Sequence, residues 1–204
     1  SKKKLHGDAK HNFISSNKNI FNWVKLKIYP DGGVARLRLW GNVFNDWEKF
    51  SKTKTYELSS LYYGGKILSY NNAHYGDVSA LLAKGRGKNM GDGWETRRRR
   101  KPGNDWIVIE LGTPGTINKI EIDTAFFKGN FPDSCSVEGV LAKNISDLNK
   151  LKWKNLLPQT KLKADKIHTF ERKKILLSEP FSHLRLNIFP DGGVSRFRAF
   201  GQIQ

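Results

Sequence analysis

Apolar and polar positions alternate strictly near the end of the chain. Leu184, Leu186 and Ile188 fall on one side, Arg185 and Asn187 on the other. A period of two is what a half-buried strand requires, because successive side chains point to opposite faces of a sheet. The run Pro190-Asp191-Gly192-Gly193 then supplies turn chemistry, after which Ser195, Phe197 and Ala199 alternate with Arg196 and Arg198. This pattern predicts a hairpin with one apolar face and one face that carries arginines. Residues 106–111, 117–123, 136–141 and 175–177 read as further short strands, separated by turn signals such as Gly112-Thr113-Pro114-Gly115 and Gly129-Asn130-Phe131-Pro132. A short stretch over 146–151 is the one helical candidate. Many short strands with punctuated turns predict an all-β fold, an antiparallel jelly-roll β-sandwich.

The same pattern occurs twice. Residues 28–41 read IYPDGGVARLRLWG and residues 188–201 read IFPDGGVSRFRAFG, with nine of fourteen positions identical. Upstream, KLHGDAKHNF (4–13) matches KLKADKIHTF (161–170), and a small difference in spacing between the blocks is what a loop absorbs. The second copy has a long front before its tail and the first has almost none. The organisation expected is the end of a first repeat over 1–41, a linker over 42–57 and a complete second repeat over 58–204. The truncated first copy is expected to reflect a fragment of a longer protein rather than degeneration, since its strand pattern is undamaged.

Composition narrows the function classes. The chain has 204 residues, 38% hydrophobic and 12% aromatic, enough to bury a core, and no apolar run long enough to span a bilayer. Its N-terminus lacks the apolar segment of a signal peptide. One cysteine, Cys135, suits a reducing compartment, so a soluble cytoplasmic protein is expected. The net charge of +17 invites a nucleic-acid reading, but most lysines are scattered and no nucleic-acid-binding motif is present. The histidines lack paired ligand spacing; no cofactor is expected, and a divalent metal is left open.

Three constellations carry chemistry. The densest is GRGKNMGDGWETRRRRK over 85–101, where glycines, Asp92 and Glu95 precede a cationic run suited to an anionic ligand. No Gly-Lys-Ser/Thr follows the glycines, so this is not a phosphate loop. The second runs from Asp123 through Asn130 to Asp133, where a strand delivers polar groups into a loop. The third is Asp191-Gly192-Gly193 with Arg196 and Arg198, whose charges need a partner or solvent.

The segments Gly91-Asp92-Gly93-Trp94-Glu95-Thr96-Arg97-Arg98, Asp105-Trp106, Glu121-Ile122-Asp123-Thr124, Phe127-Lys128-Gly129-Asn130 and Arg185-Leu186-Asn187-Ile188 through Arg196 resemble the allantoicase family. The resemblance covers 58–201 as that family's second repeat and 4–41 as the end of its first. It implies tandem jelly rolls of galactose-binding-like fold and hydrolysis of allantoate to ureidoglycolate and urea. The substrate carries a carboxylate and two ureido groups on one carbon, so the site needs a cationic clamp, NH acceptors and an acid or base. Residue chemistry nominates Arg97, Arg98 and Arg196 to bind the anion. It nominates Asp92, Glu95 and Asp123 as the catalytic carboxylates, and Asn130, Asn187 and Asp191 as positioning groups. The partners expected are a small anionic substrate and further copies of the chain in a homo-oligomer, with no membrane. The competing readings are a noncatalytic module for an anionic ligand or nucleic acid, and a structural subunit of an assembly.

Overall fold

The computed structural model describes residues 2–143 and 150–204, so the helix expected over 146–151 falls largely outside the described residues. The chain divides into two compact units, Ser1–Gly41 and Asn42–Gln204. The larger unit contains β1 (Tyr56–Glu57), β2 (Lys66–Tyr70), β3 (Trp94–Glu95), β4 (Asp105–Asp123), β5 (Ser134–Val140), β6 (Lys154–Lys161), β7 (Ile167–Glu171), β8 (Pro180–Phe189), β9 (Gly193–Val194) and β10 (Arg196–Ile203). These strands pair antiparallel throughout.

The long strand β4 organises the sandwich. Its first half lies between β2 and β8, and β8 continues to β5 and β6. Its second half lies between β10 and β7, and β1 borders β10. One strand therefore serves two layers that pack over a common core. The strands expected at 106–111 and 117–123 are a single element, bent where the register slips between Glu110 and Gly115. The intervening glycines permit close approach rather than a hairpin turn: a Cβ at Gly112 would collide with the Tyr63 carbonyl, and one at Gly115 with the Gln202 backbone and Leu58.

The hairpin expected near the chain end is also corrected. β8 and β10 do not pair with each other; each pairs with β4, and the turn at 190–193 carries the chain between layers. The alternation still assigns the faces, because a face is set by the neighbouring layer whatever the lateral partner. Leu184, Leu186, Ile188, Phe197 and Ala199 are all at 0% exposure and join Ile107, Ile109, Ile120, Ile122 and Val137 in one buried cluster. Burying each of the larger of these side chains contributes on the order of 1.5–3 kcal/mol. Residues 175–177 form no strand, although Ile175 is buried and the Leu176 amide donates to Leu156 at 2.9 Å. β6 contains Pro158, which an edge strand tolerates.

Residues 42–57, expected as a linker, lie within the larger unit. Trp47 and Phe50 pack at 4.7 Å between ring centroids, Phe50 and Tyr56 at 5.4 Å, and Tyr56 and Tyr63 at 5.8 Å. Tyr56 and Glu57 then add β1 to β10.

The smaller unit repeats the local geometry of the second tail. Asp8 has φ 49° and Asp165 φ 47°; Gly32 has φ 130° and Gly192 φ 134°. The Tyr29-Pro30 and Phe189-Pro190 bonds are both cis. The His6 amide donates to His11 Nε2 at 3.1 Å, as the Lys163 amide does to His168 Nε2 at 2.8 Å. The expected first-copy hairpin is nonetheless absent: no strand is present among the described residues 2–41. Ile28, Val34, Leu37 and Leu39 are exposed, whereas their counterparts Ile188, Val194, Phe197 and Ala199 are buried. In the second copy, both strands of the tail form by pairing with β4.

Candidate functional site: a charged cleft at the sandwich rim

The segment 83–93 is an exposed loop fixed at both ends. Before it, Asp77 caps the 3-10 helix Val78–Leu82 through the Ser79 amide at 2.9 Å, and Leu81 and Leu82 are buried. After it, Trp94 is fully buried and donates from Nε1 to the Asn72 carbonyl at 2.8 Å. Arg196, at the start of β10, ties the loop down. Its guanidinium donates to the Gly85 carbonyl at 3.0 Å, to the Asp92 carbonyl at 2.7 Å and to the Asp92 carboxylate at 2.9 Å.

This arrangement walls a cleft of about 390 Å³ lined by Lys84, Gly85, Arg86, Glu57, Glu121, Asp123, Ile167, Arg196 and Arg198. Cations and carboxylates thus share one concavity. The alternation in β4 and β10 places them there: Arg196 registers with Asp123 and Arg198 with Glu121, all pointing away from the core side of Ile122 and Phe197. Asp123 is 6% exposed in its side chain. It accepts from the Ala125 amide at 2.9 Å and from Arg86 Nε at 3.3 Å. Arg198 reaches Glu57 at 3.2 Å. Arg86 is the accessible guanidinium, 55% exposed, with Asp165 3.9 Å from Nη2.

The nominated residues distribute unevenly. Asp123 and Arg196 line the cleft, and Asp92 joins it through Arg196. Arg196 is 3% exposed and committed to the 83–93 loop, so it shapes the wall rather than presenting a clamp. Burial would raise the Asp92 carboxyl, but Arg196 and the Lys88 amide outweigh it and hold the group below its ordinary value. Glu95 and Asn130 are hydrogen-bonded to each other beside β3, and Arg97 donates from Nε to His74 Nδ1 at 3.2 Å. Arg98 is exposed on the loop that follows. Asp191 accepts the Arg99 amide at 2.8 Å. Asn187 donates to Glu138 at 2.8 Å and accepts from Asn104 at 3.3 Å, in a network whose members do not line the cleft.

Sequence reasoning passed over Glu57, Lys84, Arg86 and Glu121. Arg198 had been named beside Arg196, and Glu121 was recoverable from alternation with Asp123; Glu57 gave no signal, since it lay in an apparent linker. Arg99 is the structural member of the cationic run, paired at 2.7 Å with Asp105, which is fully buried. Among the described residues, no three His, Cys, Asp or Glu side chains gather as metal ligands.

An antiparallel sandwich with a small charged cleft among its rim loops defines a class, that of β-sandwich repeats whose loops carry the polar groups. The allantoicase repeat model matches residues 1–44 and 56–204, and the chain belongs to that family. It is 46% identical over 203 residues to a probable allantoicase of Pseudomonas fluorescens, covering 98% of this chain and 61% of that protein. It is 46% identical over 205 residues to a probable allantoicase of Photobacterium profundum, covering 98% and 62%. The chain thus spans less than two thirds of the length of these relatives. The crystal structure of allantoicase from Saccharomyces cerevisiae superposes with a TM-score of 0.64 at 42% identity, over 72% of this chain and 43% of that one. The C-terminal domain of a chitobiase from Bacteroides fragilis shares the fold at a TM-score of 0.54 and 14% identity, over 74% of this chain and 99% of that one.

Proposed function

We propose that this chain is part of an allantoate hydrolase, which releases urea and ureidoglycolate in ureide breakdown, and that the rim cleft of the second repeat holds the substrate. The observation that carries this reading is the cleft itself: Arg86 and Lys84 stand accessible at its mouth beside Glu57, Glu121 and Asp123. A guanidinium with exposed edges suits a carboxylate, and neighbouring carboxylates accept hydrogen bonds from ureido NH groups. Arg196 and Asp92 set the shape of the loop that carries Arg86. Family membership and the relatives' names support the substrate assignment.

The test is urea release from allantoate by the purified intact protein across pH, with and without divalent metals. The reading expects turnover, and expects Arg86→Ala to raise KM about 10-fold or more, the size of one lost charge-assisted contact. No urea release under any condition defeats it. The same reading expects a cytoplasmic homo-oligomer, for which light scattering supplies the mass. Among the described residues, no helix is long and apolar enough to cross a membrane.

A further inference from the structure

We infer that Glu57 is a positioning residue of this cleft: through Arg198 it fixes the Gly85 carbonyl, and with it the loop that presents Lys84 and Arg86. The consequence for catalysis rests on the allantoate reading above. Glu57 enters from β1 at the edge of β10, registered with Phe200, and its side chain is 20% exposed. Both its oxygens lie 3.2 Å from Arg198 Nη1, the arrangement of an ionised carboxylate on a guanidinium. Arg198 Nη2 donates to the Gly85 carbonyl, which also accepts from Arg196 Nε at 3.0 Å. Two guanidiniums from one strand thus meet at one carbonyl, and Glu57 holds the more exposed of them.

Packing contributes little to holding this stretch. Lys84, Gly85 and Arg86 are all exposed, and a Cβ at Gly85 would meet nothing within 4 Å. The loop is held there by polar contacts, and hydrogen bonds from a charged donor are the strong ones. Arg198 has a second carboxylate beside it: Glu121 is its cross-strand partner on β4, paired at 2.8 Å with Lys119. Without Glu57, Arg198 is free to turn toward Glu121 and to leave the Gly85 carbonyl on Arg196 alone.

The segment that carries Glu57 is anchored in turn. Its chain neighbour Tyr56 packs edge-on against Phe50 and Tyr63, at 5.4 and 5.8 Å between centroids, and the Tyr56 hydroxyl accepts the Ser51 amide at 3.1 Å. Residues 42–57, a linker by sequence, thereby supply one fixed charge to the cleft.

In the intact protein, Glu57→Ala is expected to raise KM for allantoate about 10-fold and to leave kcat within about 3-fold of wild type. In an Arg86→Ala background the same substitution is expected to change KM by less than about 3-fold, because Glu57 acts on the ligand through the loop. Hydrogen exchange supplies a readout that needs no substrate. The amides of Lys88 and Asp92 bond within the loop, to the Asp92 carboxylate at 3.0 Å and the Asn89 carbonyl at 3.2 Å. In Glu57→Ala they are expected to exchange about 10-fold faster, with the amides of β4 unchanged. The inference is overturned by a KM within about 2-fold of wild type, by an undiminished effect in Arg86→Ala, or by loop amides that keep their wild-type rates. If Glu57→Ala fails to fold, judged by its thermal transition, Glu57→Gln keeps the size of the side chain without its charge and is held to the same three criteria. A wild type that releases no urea defeats instead the allantoate reading underneath, and the exchange rates then decide the positioning role by themselves.

Discussion

Two copies of one tail sequence lie in this chain, and they reach the same local shape with opposite tertiary results. In both, an Asp near φ +50° and a Gly near φ +130° set the turns, and a backbone amide donates to a His Nε2. Yet Val194 and Phe197 are buried, and Val34 and Leu37 are exposed. Turn geometry is thus written in nearest-neighbour sequence, whereas strand formation and the cleft require β4 and the 83–93 loop as partners.

Substitutions at matched positions of the 204-residue chain sharpen the contrast. The largest effect is expected for Phe197→Ala, a loss of about 3–5 kcal/mol from a fully buried ring, against a change within about 0.5 kcal/mol for Leu37→Ala. Chemical denaturation measures both. Arg196→Ala removes the donor shared by Gly85 and Asp92 and is expected to cost about 2–3 kcal/mol, while Arg36→Ala costs almost nothing. Gly193→Ala drives a methyl group into the Phe127 ring and is expected to cost about 1–3 kcal/mol; Gly33→Ala meets open space and should leave the unfolding midpoint in place.

The smallest effect is a pH dependence. Burial outweighs the opposing contacts and holds His168 below its ordinary value, and its Nε2 accepts the Lys163 amide. Burial likewise lowers His183. A His depressed in the folded state binds its proton more readily unfolded. Stability is therefore expected to be unaffected above about pH 6.5 and to fall as pH drops below the unfolded value toward the folded one. His168→Gln should flatten part of that decline, as read from unfolding midpoints between pH 7.5 and 5.

The alternation of Leu184 to Ile188 and Ser195 to Ala199 disclosed which residues face the core, and the duplicated blocks were legible at once. What alternation leaves open is the lateral partner: the same apolar pattern suits a hairpin or two strands that flank a third, and β4 made the second arrangement. Its bend escaped notice because Gly112 to Gly115 read equally as a turn or as a close approach. In the candidate site, Asp92, Asp123 and Arg196 were named from their residue types, and burial then distinguished the wall from the accessible Arg86. Glu57 was invisible because its place in the cleft depends on a two-residue edge strand joined to β10, a contact across most of the chain length.

Residue-resolved hydrogen exchange on the 204-residue chain tests most directly whether non-local partners, rather than the tail sequence, make the strands. The account predicts slow exchange for the paired amides of β8 and β10, approaching global unfolding, and near-intrinsic rates over 25–41. Comparable protection in the two tails would contradict it.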